Sequence, residues 1–224
     1  LFVFVIIRLF RFRYTFYHVN DYGIKLCGVP SAAAKGTEYR KIIEKNNIKN
    51  PLFIYGAGLV FVKMSKISLK EMTKELCREL FREYESDPML FADMSTFKRY
   101  EYSEEKADAH FEKQNAPDRK SFAIMLDDEV IGEVYFKYID RDNGTCELGI
   151  GIKNDGFKNC GYGTAAENLA IKYAFGKMNM NTVFADTIHK NRRSTHVLEK
   201  VGFRFVSEDD MFRCYRIDKK DWKN

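Results

Sequence analysis

The sequence predicts an α/β (α+β) protein in which a central mixed, twisted sheet is flanked by helices. From about residue 59 onward, runs of two-residue alternation are interleaved with segments of helical period. Strands fall on both sides of a central helix, and no internal repeat points to a solenoid or propeller instead. The 224-residue length can bury a sizeable core, and 45% apolar with 31% charged residues is an ordinary globular composition.

Residues 59–63 are β-rich and open the series. SKISLKEMTKELCRELFREYESDP then turns to helical spacing. Ser68 is placed to cap, Glu71 stands three residues on as in a capping box, and Met72, Leu76, Leu80 and Tyr84 form a stripe that Asp87-Pro88 ends. A second helix is predicted over 103–114, opened by Ser103 and followed by Pro117. Phe122, Ile124 and Leu126 alternate, 127–129 turns, and 130–139 returns as a long strand, which makes a hairpin. TCELGIGI, after a turn at 142–144, is a further strand. TAAENLAIKYAFG has apolar positions at 166, 169, 170 and 173, with Gly176 as its C-cap. NTVFADTI is a strand, NRRSTHVLEKVGF a short helix ended by Gly202, and 203–206 with 212–217 form a last hairpin.

The net charge of +5 is unevenly placed. Residues 1–50 carry nine Lys/Arg against three Asp/Glu, and the remaining 28 against 29 leave the body neutral. A polyanionic partner such as nucleic acid is therefore not expected. The domain reading is a basic, partly apolar leader over 1–50 and one folded domain over 51–224. The uninterrupted apolar run, Leu1–Ile7, is far shorter than the roughly 20 residues of a bilayer crossing, and Arg8, Arg11 and Arg13 follow it instead of preceding it as in a signal peptide. The leader is read as incidental, as weakly associated with a membrane surface, or as an extra strand or arm; residues 28–50 are read as a linker with a short helical piece around 38–45. Five cysteines, widely spaced and without a CxxC pair, suit a reducing, cytoplasmic compartment, and the four histidines form no metal-binding motif.

The segment GFKNCGYGTAAE raises the functional question. A helix N-terminus leaves its first N–H groups without backbone partners, and Gly161 and Gly163 let the approach curl so that these groups face an anion. Lys158 adds positive charge nearby. Two readings stay open on these residues alone: a pyrophosphate cradle, or a connection whose glycines merely solve its geometry. No Gly-Lys-Ser/Thr follows, so this is not a Walker A loop, and GxG in a β-meander context is not the dinucleotide-binding fingerprint.

Lys158-Asn-Cys-Gly161-Tyr-Gly163 resembles the Arg/Gln-x-x-Gly-x-Gly/Ala signature of the GNAT N-acetyltransferases. Asn191-Arg-Arg-Ser194 followed by Leu198-Glu-Lys-Val-Gly202-Phe203 resembles the "N-x-x-S … l-E-K-x-G-F" end of the branch that acetylates ribosomal-protein N-termini (RimJ/RimL-like). The resemblance covers about 59–217 and departs from the signature at Lys158. It implies the acyl-CoA N-acyltransferase fold and acetyl-CoA as cosubstrate, without a metal. The acetyl group would pass to a primary amine, a protein N-terminus, a polyamine or another small amine, in a ternary complex. A monomer or homodimer is expected.

By the same resemblance, the pantetheine arm would lie along Leu148, Gly149, Ile150, Gly151 and Ile152, with the two glycines opening room for it. The pyrophosphate would rest on Lys158, Asn159, Cys160, Gly161, Tyr162, Gly163 and Thr164. Asn191 would lie near the arm and is also a natural N-cap; Arg192 and Arg193 are either phosphate contacts or solvated. Glu147 matches the general base of histone-acetylating relatives, and a backbone N–H at 148–150 would serve the oxyanion. Many relatives carry a proton-donating Tyr where this chain has Leu198; Ser194 is the remaining polar group for the coenzyme sulfur. Asp186, Thr187 and His189 are secondary candidates. The first two helices and the last hairpin supply Glu83, Glu85, Asp87, Asp93, Glu101, Glu104, Glu105, Glu208, Asp209 and Asp210, either a cation-attracting acceptor site or an acidic solvated surface.

Overall fold

The alternating runs pair into one mixed sheet, and the helical stripes close over both of its faces. The computed structural model describes residues 66–91 and 93–223 in full, together with the backbone of five short strands nearer the start. The chain folds as two units, 1–66 and 67–224. In the first unit, β1 (Val3–Ile7), β2 (Thr15–Asn20) and β3 (Gly23–Cys27) form an antiparallel sheet, and β4 (Phe53–Tyr55) pairs antiparallel with β5 (Gly58–Val60). The short helix expected around 38–45 lies outside the described residues.

In the second unit the order is β6 (Ile67–Glu71), α1 (Lys74–Arg82), α2 (Glu104–Gln114), β7 (Lys120–Leu126), β8 (Glu129–Asp140), β9 (Thr145–Ile152), α3 (Tyr162–Gly176), β10 (Thr182–Ile188), α4 (Arg192–Val201), β11 (Arg204–Glu208) and β12 (Phe212–Asp218). The sheet runs β11-β12-β10-β9-β8-β7-β6. Its strands pair antiparallel except β9 with β10, a parallel pair that a crossover through α3 connects. The mixed sheet expected from the element order is what forms.

One expectation is corrected at its start. Ser68 caps no helix: residues 67–71 form the edge strand β6, paired in register with Leu126 through Phe122 of β7. Ile67 and Leu69 alternate with Ser68 and Lys70, so that pairing uses a period of two before the helical period begins at Met72. The helix starts after Thr73, whose Oγ1 accepts from the Leu76 N–H at 3.2 Å. Gly176 likewise caps nothing. It is the last residue of α3, with Lys177 in the cap position, and its φ is not among the positive ones. Ser103 and Gly202 do cap as expected: Ser103 Oγ accepts from the Lys106 N–H, and Gly202 ends α4 at φ +108°.

On one face, Cys77, Leu80 and Phe81 of α1 pack with Met72, Ala107, Ala123, Met125 and Val130. On the other, α3 crosses β6, β8 and β9 while α4 lies on β10. Central β8 carries Phe136 fully buried, where truncation to Ala would cost about 3–5 kcal/mol. Among the described residues no helix is long and apolar enough to cross a membrane.

Candidate functional site

The parallel pair at the centre of the sheet is short, and that creates an opening. β9 and β10 pair only as Thr145–Thr182, Cys146–Val183 and Glu147–Phe184. Beyond Glu147 both strands continue, but among the described residues β9 residues 148–152 pair only with β8, and β10 residues 185–188 only with β12. A wedge opens between them, with backbone groups of Leu148–Ile152 along one side. Of the two glycines expected to make room here, Gly151 has only a side-chain carbon of Glu133 near its missing Cβ, at 3.9 Å. Gly149 has a different reason: a Cβ there would stand 2.3 Å from the Tyr135 ring.

The glycine segment leads from β9 into α3. Asn159 and Gly161 both adopt left-handed conformations, φ 61° and 83°, and the helix begins at Tyr162 with no side chain capping it. The N–H groups of Gly163 and Thr164 have no acceptor among the described residues. Nothing lies within 4 Å of where a Cβ on Gly163 would be, so the missing side chain there leaves open space and serves no protein neighbour. This is the geometry of an anion seat: a curled approach, unfilled helix-start amides and no side chain in the way.

Lys158 does not contribute free charge. Its Nζ bridges Asp87 Oδ2 and Asp155 Oδ1, both at 2.8 Å, and Arg193 Nη2 reaches the same Asp87 oxygen at 2.6 Å. Asp87 Oδ1 meanwhile accepts from the Met89 N–H at 2.9 Å. Burial alone would raise the Asp87 carboxyl, but the hydrogen bonds from Lys158 and Met89 and the charges of Lys158 and Arg193 hold it below its ordinary value. One acid thus joins the α1–α2 connection, the loop and the start of α4. Arg192 is exposed.

Glu147 stands at the last paired rung and is half-buried. Its Oε1 meets Lys137 Nζ, from the opposite position on β8, at 2.5 Å. Burial raises its carboxyl, the Lys137 hydrogen bond opposes this, and Asp186 on β10 adds to it; the net direction is upward. Glu133, Tyr135 and Lys137 of β8, Glu147 of β9 and Phe184 and Asp186 of β10 share one sheet face by register. The wall beside them includes His110 of α2, whose Nε2 lies 2.9 Å from Glu133 Oε2. Sequence reasoning missed Lys137, Tyr135, Glu133 and His110. Only two-residue alternation on β8 could have grouped the first three.

Asn191 is the N-cap of α4, its Oδ1 accepting from the Ser194 N–H at 3.1 Å. Ser194 is half-buried in the first turn. Leu198 is 3% exposed and packed in the core. Thr187 is buried with its hydroxyl unpartnered among the described residues, and His189 Nε2 lies 2.8 Å from the Asp209 carbonyl oxygen. The acids expected to gather at an acceptor site are largely engaged elsewhere. Glu83 pairs with Lys153, Glu104 with Arg78 and Arg82, Glu208 with Arg213, and Asp93 and Asp209 close their own turns.

A protein-family profile described as "Acetyltransferase (GNAT) domain" matches residues 66–204. The chain is 27% identical over 133 residues to the acetyltransferase PseH of Campylobacter jejuni subsp. jejuni serotype O:23/36 (strain 81-176), spanning 58% of this chain and 82% of that protein. It is 29% identical over 101 residues to the uncharacterized N-acetyltransferase p20 of Bacillus licheniformis, spanning 45% of this chain and 54% of that one. Among solved structures, the spermidine N-acetyltransferase from Vibrio cholerae in complex with CoA and spermine superposes with a TM-score of 0.58 at 16% identity, over 69% of this chain and 96% of that one. At that identity the match speaks for the fold.

Proposed function

Because the chain belongs to the GNAT acetyltransferase family, we propose that it transfers the acetyl group of acetyl-CoA to a primary amine by direct attack within a ternary complex. One observation carries the reading: β9–β10 pairing stops at Glu147, and the wedge beyond it leads to a helix start whose Gly163 and Thr164 amides are unfilled. The backbone of Leu148, Gly149, Ile150, Gly151 and Ile152 would hold the pantetheine arm as an added strand. Lys158, Asn159, Cys160, Gly161, Tyr162, Gly163 and Thr164 would surround the pyrophosphate, with the amides doing the binding, since Lys158 is already paired.

Acetyl-CoA supplies an activated thioester carbonyl. Glu147 takes a proton from the amine as the nitrogen lone pair bonds to that carbon and the carbon–sulfur bond breaks; its raised pKa suits it to this near neutrality. A backbone N–H of 148–150 steadies the negative charge developing on the carbonyl oxygen. Ser194 offers a hydroxyl to the departing sulfur, because Leu198 has none, and Asn191 fixes the turn that carries Ser194. Acceptors remain those of the ribosomal-protein-acetylating branch and its relatives: protein N-termini, polyamines and other small amines.

The buried Leu198 favours one alternative, a coenzyme-binding module without turnover. A panel of amines with acetyl-CoA, read by release of free thiol, decides between them. Thiol release that falls about 100-fold or more in Glu147→Gln supports the enzyme and the base. Release unchanged in that variant removes Glu147 from the role, and coenzyme uptake without release with any amine selects the module.

A further inference from the structure

Tyr135 has no place in the reaction as derived so far, yet the sheet is shaped around it. It lies on β8 opposite Gly149, two rungs beyond the Lys137–Glu147 pair and on the same sheet face. A Cβ on Gly149 would meet its Cζ at 2.3 Å, Cε2 at 2.5 Å and Oη at 2.6 Å, so the ring and its hydroxyl lie flat across the β9 backbone where the wedge opens. A real Cβ cannot approach that closely, so glycine is required there by the ring. Tyr135 is half-buried, and its hydroxyl has no hydrogen-bond partner among the described residues while not being sealed from solvent. Buried phenols ordinarily find a partner. This one stops at the opening without one.

The surroundings say what such a partner would be. Glu147 Oε1 is occupied by Lys137, and a neutral primary amine that hands one proton to Glu147 still carries one N–H in need of an acceptor. Burial, then Glu133 and Glu147, push the phenol up to about 12, which keeps it neutral and its oxygen lone pairs available at physiological pH. Resting on the acetyltransferase reading above, we propose that Tyr135 is an acceptor-binding residue. Its ring shields the β9 backbone at Gly149, and its hydroxyl oxygen accepts a hydrogen bond from the primary amine as the nitrogen approaches the thioester beside Glu147.

Steady-state kinetics of the full chain on an accepted amine test this, with Tyr135→Phe as the main variant because it keeps the ring. The expected result is an amine KM raised roughly tenfold or more, the worth of one such hydrogen bond, with the acetyl-CoA KM unchanged. Gly149→Ala, which displaces the ring, should raise the amine KM to a similar extent. An amine KM within about twofold of wild type in Tyr135→Phe overturns the inference and leaves the proposed function standing. Gly149→Ala that leaves the amine KM unmoved also overturns it. Absence of thiol release by the wild type with every amine overturns both.

Discussion

Replacing Glu167 by Gln removes a carboxyl that the fold buries without a charge partner. Glu167 is 1% exposed on the second turn of α3, and its Oε2 has no hydrogen-bond partner among the described residues. Burial pushes the group from its ordinary 4.5 up to about 8, with no other cause. The folded state therefore keeps a proton that the unfolded chain has lost above about pH 4.5, and stability falls as pH rises through that window. At about 1.4 kcal/mol per pH unit, the interval from 4.5 to about 8 amounts to about 5 kcal/mol, fully lost above the folded value. Glu167→Gln keeps the shape and cannot ionise. Urea unfolding at a series of pH values should show the variant gaining on wild type by about 1.4 kcal/mol per pH unit between about pH 5 and 8, with parallel curves above. Parallel curves throughout would refute the argument, because a carboxyl that ionises freely at neutral pH is not buried as described. Function is linked to the outcome: a neutral Glu167 places no negative charge behind the amides at the start of α3.

Other residues give shorter tests. Asp87→Ala leaves Lys158 and Arg193 without their shared partner and should destabilise the fold by about 1–3 kcal/mol in denaturant unfolding. Because the Asp87 carboxyl is held below its ordinary value, that contribution is present at neutral pH and is lost as pH falls through the acid range, so wild type and variant should converge in acid. Gly163→Ala puts a methyl into open space at the loop; thermal stability should hold while coenzyme affinity, by calorimetry, falls about tenfold, and unchanged affinity would move the phosphates elsewhere. Ser194→Ala should slow thiol release with coenzyme affinity unchanged, and equal rates would leave the sulfur without a contact from Ser194.

The cysteines show how position decides chemistry that composition leaves open. Cys77 and Cys146 are buried and pushed up to about 12, chiefly by burial, so they behave as apolar core residues and not as nucleophiles. In α3 the apolar spacing placed Leu169 inward. The structure exposes Leu169 and turns Glu167 inward, because the helix presents Ala166, Ala170 and Ala174 to the sheet and Glu167 lies on that flank.

Sequence alone determined whatever depends on neighbours within a few residues: the order of helices and strands from 74 on, the caps at Ser103 and Gly202, the curled glycine approach to α3 and the family motifs that flank it. Period and capping are local, so they survive being read one residue at a time. Only the tertiary structure decided that residues 67–71 are an edge strand, since β7 supplies their hydrogen bonds. It also decided that Lys158 and Arg193 share an acid 71 and 106 residues away, and that the ring of Tyr135 occupies the space a side chain on Gly149 would need. Those are contacts between distant segments, set by strand register and helix placement, and no local pattern encodes them.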